Sequence, residues 1–435
     1  MQEIVLAREA IILCGPNSID WSLVADLIDS CEARIDMESI LSACLSQYCN
    51  NGNFTVLRNA RDHISSITAL RQQAGFRHYR YGDATSVLRL FRNTESTDPR
   101  DKLWGFVGCF DWENALYSPP DYKLPVVELF TEVAKVAFEW SGWLYMLGEA
   151  GRAKQCSGCE FPSWVPDWSY RLEGLSFTVL GEGSKFRRKD PLKLESMAPL
   201  FYAGGEMIST DEAGGLFPAP GILSIKIKSF GALTSQTKHP GNYHRASSTN
   251  NSDTSTMRGS NPEYHQCIAL AETSLAAVGA KDAITSIRAT VARTLVAGLN
   301  GYDSKIPWDV DTYFPHWIEQ GGQHNDGESA TLSNNAAVTA YAVAVDRALC
   351  MAYTSGLHYF AMLDHRFFAV VSTMARVGDE VVVVSGAPTA YVVRMARRQE
   401  GKRVFEFIGE AYVYSFMHGE LSADHEVPWE SVWLI

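Results

Sequence analysis

From Arg366 onward the chain is cut into short β-prone runs by turn residues, and that cutting leaves little choice of fold. The runs cover 366–373, 380–385, 391–397, 404–410 and 412–414, with Gly378-Asp379, Gly386-Ala387-Pro388 and Glu400-Gly401 between them. Val, Ile, Phe and Tyr pack well on a pleated surface, while Gly, Pro and Asp supply the reversed backbone of a turn. Connections this short return the chain antiparallel, because parallel neighbours need a crossover of a dozen residues or more. The spacing predicts a small antiparallel meander or barrel over 358–435, the β-rich C-terminal module of an α+β protein.

Upstream the periodicity is mostly helical. An apolar, helix-compatible start leads into Ala10-Ile11-Ile12-Leu13-Cys14-Gly15, which reads as a short buried strand. Pro16-Asn17-Ser18 then reads as a turn, with Ser18 placed to cap a helix over 19–31. Helices are predicted over 37–49 and 54–73, separated by the turn Asn50-Asn51-Gly52-Asn53. The clearest helix is 126–141, with Pro125 at its start, Gly142 at its end and a stripe of Val126, Leu129, Phe130, Val133, Val136, Ala137 and Trp140. Phe161-Pro162-Ser163-Trp164-Val165-Pro166-Asp167-Trp168 holds two Pro and two Trp in eight residues, so it reads as an irregular loop pinned onto the helical layer.

From 177 the pattern turns to short strands (177–180, 200–203 and 222–230), of which Ile222-Leu223-Ser224-Ile225-Lys226-Ile227-Lys228 alternates most cleanly. A Ser-, Thr- and Asn-rich stretch over 239–261 reads as a flexible insertion, followed by helices over 262–278, 281–297 and 334–352.

Composition narrows the function. The formal charge of −12 argues against a nucleic-acid binder, which needs Lys and Arg in excess to neutralise phosphate. The sequence holds no apolar run long enough to cross a bilayer, so a membrane span is not expected. Nine scattered cysteines fit reduced thiols and a cytoplasmic or nuclear setting. Cys14, Cys31, Cys44 and Cys49 lie in apolar surroundings and read as small core residues. Cys156-Ser157-Gly158-Cys159 has metal-ligand spacing, but no second pair completes a zinc site, and the eleven His are dispersed. No metal is expected, and Gly181-Glu182-Gly183 and Gly204-Gly205 read as turns and not as phosphate cradles. Read from the residues alone, the stretch 81–110 is a structural corner. Leu88, Leu90, Phe91, Leu103, Trp104, Phe106 and Val107 are expected inside, with Asp98, Arg100, Asp101 and Lys102 exposed or paired.

Several blocks together resemble the fungal heterokaryon-incompatibility (HET) domain family. Thr97-Asp98-Pro99-Arg100-Asp101-Lys102-Leu103-Trp104-Gly105 is similar to that family's TDPRDK-type block. Pro120-Asp121-Tyr122 with the helix after it, and Pro162-Ser163-Trp164-Val165-Pro166-Asp167-Trp168-Ser169, resemble two more. Gly409-Glu410-Ala411-Tyr412-Val413 with Met417-His418-Gly419-Glu420 resembles the usual C-terminal tail. Met1-Gln2-Glu3 and the following 4–21 are similar to the last block of the HET domain, whose earlier blocks have no counterpart here.

The resemblance implies four regions. A remnant of a TIR-like α/β domain spans 1–50, and a helical region with the TDPRD and PSWVPDWS blocks spans 51–172. A mixed region spans 173–357 and the β-rich module spans 358–435. It also implies a role in fungal nonself recognition or cell-death signalling, non-catalytic, through contacts with allelic or HET-related proteins in the cytoplasm and without a cofactor. Similarity to NAD-cleaving TIR domains implies the alternative, an NAD hydrolase with Glu3 as its catalytic carboxylate in a longer or complemented chain. A degenerate gene remnant is the third reading.

Overall fold

Residue Leu223 begins the strand on which the whole β region turns. In a computed structural model, the residues described are 2–32, 64, 67, 68, 71, 88, 92, 94–106, 120–141, 144–151, 160–170, 201–205, 216–238, 261–280, 287–298, 345, 349 and 357–435. The helices expected over 37–49, the strand 177–180, the insertion 239–260 and the Cys156/Cys159 pair lie outside them. So do Leu90, Phe91, Val107 and the side chain of Trp140.

Helix α1 (Gln2–Leu6), strands β1 (Ile11–Cys14) and β2 (Asn17–Asp20) and helix α2 (Trp21–Glu32) form the N-terminal part. Among the described residues, Asp101–Trp104 is α3 and Val126–Ser141 is α4. Strand β3 (Leu223–Lys238) is followed by α5 (Asn261–Ala277) and α6 (Ile287–Leu295). Then come β4 (Leu357–Leu363), β5 (Phe367–Ser372), β6 (Glu380–Val384), β7 (Ala390–Gln399), β8 (Lys402–Val413), α7 (Glu420–Ala423) and β9 (Glu430–Leu434). The protein is α+β with a β-rich C-terminal region.

The strand pairings close on themselves. β3 pairs with β4, β4 with β5, β5 with β8, β8 with β7, β7 with β6 and β6 again with β3, every pair antiparallel. That is a six-stranded barrel, the closure that removes free sheet edges. β9 lies antiparallel to the start of β3 and parallel to Val404-Phe405 of β8, closing a second ring through β6 and β7. Serving three neighbours demands bending, and β3 bends where its register shifts at Ser229/Gly231 and Leu233/Ser235. Gly231, at φ +98°, lies so close to Asp364 that a Cβ would fall 2.9 Å from the Asp364 Cβ.

Both faces of the central strands are covered. Val381 and Val383 of β6 face a core that includes α5 and α6, while Val382 and Val384 face α4 and the Trp164 loop. Glu400 and Gly401 both take positive φ (52° and 78°), as a two-residue type I′ hairpin requires. The long C-terminal strands thus follow the sequence expectation, with two differences. The runs 404–410 and 412–414 are one strand, β8, and β4 joins the barrel and β9 the second ring although neither shows a period-two pattern. The period-two run at Ile222 extends through Lys238, well beyond the expected 230.

Elsewhere several expectations are corrected. Ser18 does not cap α2, because it is taken up in the hairpin opposite Leu13. Asp20 caps instead, its Oδ1 accepting from the Ser22 backbone N–H at 2.8 Å and the Ser22 hydroxyl at 2.7 Å. The strand read as buried over 10–15 lies in an exposed hairpin, with Leu13 76% exposed, and Cys14 is exposed and not a core residue. Phe201 to Gly205 is not a strand: Ala203 and Gly204 donate to the Pro388 and Ala387 carbonyls and lie against the barrel as a turn. On α4 the buried apolar residues are Leu129, Phe130, Val133, Ala134, Ala137 and Phe138, while Val126 and Val136 are only half-buried. The apolar stripe is therefore rotated toward Ala134 and Phe138, where Phe138 meets Trp164.

Candidate functional site

The corner block is built from charged side chains that hold backbone. Pro99 sets the turn ahead of α3, and Asp98 accepts from the backbone N–H and the guanidinium of Arg100, at 2.9 Å and 2.7–2.9 Å. The Arg100 guanidinium also donates to the Tyr122 carbonyl and, at 3.2 Å, to the Leu124 carbonyl, and it lies over the Tyr122 ring. Tyr122 returns the contact by donating its hydroxyl to Asp101 at 2.7 Å. The Arg100 hydrogen bonds hold the Asp98 carboxyl below the usual carboxylate range, and the Asp101 acceptor raises the Tyr122 phenol.

Beneath this half-buried layer lies a fully buried one. Lys102 is buried, and its ammonium donates to the carbonyls of Arg92 (3.0 Å) and Thr94. Arg92 is itself buried and uses all three guanidinium nitrogens. They bond the Tyr170 carbonyl at 3.1 Å, the Glu149 carbonyl and carboxylate at 3.1 Å, and the Asp167 carbonyl at 2.6 Å. The Arg92 charge is met by four acceptors, whereas the buried Glu149 Oε1 has no hydrogen-bond partner among the described residues. Leu88, Leu103, Trp104 and Phe106 pack inside as expected, and Lys102 is buried with its ammonium on backbone carbonyls.

The Pro/Trp block ties this helical layer to the barrel. Ser163 donates its backbone N–H (2.8 Å) and its hydroxyl to the Ile435 carbonyl, and its Oγ accepts from Phe407 N–H at 2.7 Å. Trp164 is fully buried and donates to the Gly221 carbonyl at 3.0 Å, and Trp168 meets the Phe130 ring edge-on. Asp167 caps its own turn, accepting from the Ser169 backbone and hydroxyl. The corner, Tyr122, the Pro/Trp loop and the barrel thus form one connected brace.

Glu3 sits apart from this brace. It is exposed in the first turn of the five-residue α1, and its own backbone N–H and the amino terminus hold its carboxyl low. Near it, Arg71 donates to the Ile4 carbonyl, and Trp21 is buried with its indole N–H on Thr68 at 3.2 Å. Among the described residues no group of three or more His, Cys, Asp or Glu side chains is placed to hold a metal ion. No helix among them is long and apolar enough to cross a membrane. Sequence reasoning missed Arg92 and Glu149. The one local signal was that Arg92 directly follows the apolar run Leu88-Arg89-Leu90-Phe91; its partners lie 57 to 78 residues away.

The chain is similar to heterokaryon incompatibility protein 6, OR allele, of Neurospora crassa. The two are 22% identical over 97% of this chain, which spans 63% of the length of that relative. No family model matches the chain, and no solved structure does.

Proposed function

We propose that this protein acts in heterokaryon incompatibility, as a non-catalytic component of fungal nonself recognition or cell-death signalling that works through protein–protein contact. The single observation that carries the reading is the similarity to the Neurospora relative, which runs through nearly the whole chain and so spans the helical layer and the barrel alike. The geometry is in keeping with it. Arg100 and Ser163 bond the backbone of segments distant in the chain, Lys102 bonds backbone carbonyls eight and ten residues away, and Asp167 caps its own turn. A residue set that ties layers together supports a scaffold that presents surfaces.

The test is a heterokaryon assay. The chain is expressed in Neurospora crassa and paired with strains that carry or lack the OR allele of the relative. Allele-dependent loss of heterokaryon growth is expected, together with co-purification of the relative. Normal growth in every pairing and no co-purification would overturn the proposal. In parallel, nicotinamide release from NAD is measured for the chain and for Glu3→Ala. Release that disappears in the variant would replace this reading with the NAD-cleaving one.

A further inference from the structure

We propose that the outer half of β7 is a docking edge for an extended acidic polypeptide segment, which adds to the barrel as a further strand. The partner of β7 on one side, β6, ends opposite Val393, with Glu380 as its first residue. On the other side β8 continues to pair with β7 out to Gln399, and β8 is in turn covered by β9. From Met395 to Gln399 the edge away from β8 therefore has no strand beside it among the described residues. On that side the backbone N–H and C=O groups of the arm face no strand among the described residues, so they are open to one added from outside.

The side chains on that arm set the chemistry of the guest. Arg394, Arg397, Arg398, Lys402 and Arg403 lie within ten residues against one carboxylate, Glu400, in a chain of formal charge −12. Two of the five are engaged: Arg394 grips Asp379 at 2.8 Å, and Arg403 holds Glu380 and Glu430. Arg397 bonds the neutral Gln399 amide, Lys402 lies over the Trp433 ring, and Arg398 is exposed and within electrostatic reach of Glu430, with no salt bridge among the described residues. Met395, 40% exposed, provides an apolar foothold beside them.

Positive charge and the register shift at Met395/Arg397 also discourage a second basic edge from pairing here. That same repulsion selects for opposite charge, so the edge is closed to its own kind and open to an acidic strand. A lipid or nucleic-acid phosphate would answer the charge but leaves the backbone groups unused, and so fits the arm less well than a peptide. The inference rests on the protein-contact reading above, and names a partner class for it.

The test uses the whole chain and a fluorescein-labelled peptide of alternating Glu and Val, followed by anisotropy. Saturable binding is expected, weakening as salt rises because exposed charges are screened over about 10 Å at 0.1 M. The double variant Arg397→Glu/Arg398→Glu, with an unchanged melting temperature because both side chains are exposed, is expected to lose at least tenfold in affinity. Amide exchange at Met395–Gln399 is expected to slow when the peptide is bound. A peptide of the same charge with alternate backbone nitrogens methylated is expected to fail. Equal binding of the methylated peptide, of a Lys-Val peptide or of phosphatidylserine vesicles would overturn the proposal, as would no binding of the Glu-Val peptide. Such a failure removes this edge alone, whereas the heterokaryon assay decides the wider function.

Discussion

The N-terminal hairpin and the C-terminal barrel use the same kind of residue in opposite ways. In β1 and β2, Ile11, Leu13 and Ile19 are 62%, 76% and 42% exposed, and among the described residues the four-residue strands pair only with each other. In β6, four consecutive valines are buried on both faces, between α5/α6 on one side and α4 with Trp164 on the other. An isolated two-stranded ribbon is marginal in water, whereas a closed sheet with covered faces multiplies every apolar contact. Apolar composition alone therefore does not make a strand interior. Closure and an overlying layer do, and in this protein the Pro/Trp loop and α4 supply that layer for one face of the barrel.

The contrast can be broken by substitution, beginning where the largest effect is expected. Trp164→Ala empties a fully buried site between α4 and the barrel, and is expected to cost about 3–5 kcal/mol, read as a lower urea midpoint. If only the helical signal fell and the barrel melted unchanged, the two layers would not be one cooperative unit. A smaller effect is expected at Glu430, whose carboxyl the Arg403 hydrogen bonds hold below its ordinary value. A depressed folded pKa means that the contribution is present above the unfolded pKa and is lost as pH falls through the folded one. Stability of the native chain should therefore decline on acidification below about pH 4.3, and Glu430→Gln should flatten that decline by under about 1 kcal/mol, because the side chain is largely solvated. Thermal melts of both proteins from pH 7 to pH 3 measure it. The smallest effect is expected in the hairpin: Leu13→Ser should shift stability by less than about 0.5 kcal/mol in the same urea titration, since the side chain is already in water.

How much of this was legible in the sequence follows from how local each cause is. The Glu400-Gly401 hairpin was readable because a two-residue loop between β-prone runs needs positive φ at both positions, and Gly supplies one of them readily. The alternation at Ile222 was readable because one face of that part of β3 is covered more deeply than the other. β4 was not, because Leu357-His358-Tyr359-Phe360-Ala361-Met362-Leu363 is apolar on both faces, and such a run fits a buried helix as well as a strand. Ser18 and Asp20 are both good caps by type, and only the hairpin register decides between them. In the brace, Thr97–Lys102 and Pro162–Trp168 stood out as blocks, yet the role of each polar group stayed hidden. Ser163 meets Ile435 across 272 residues and Arg92 meets Asp167 across 75, which no local pattern records.

The shared strand β3 also sets a timetable for synthesis. Its last residue, Lys238, leaves the ribosome 119 residues (357 − 238) before the first residue of its partner β4. At roughly 5–20 residues per second, on the order of 6–24 s pass before the first partner strand begins to appear, and Leu223 and Ile225 wait longer still, because their partner is β9. A nascent chain of this protein must therefore carry a long apolar strand without a partner for many seconds. Its yield in the cell should be governed by whatever shields that strand until residues 357–435 arrive.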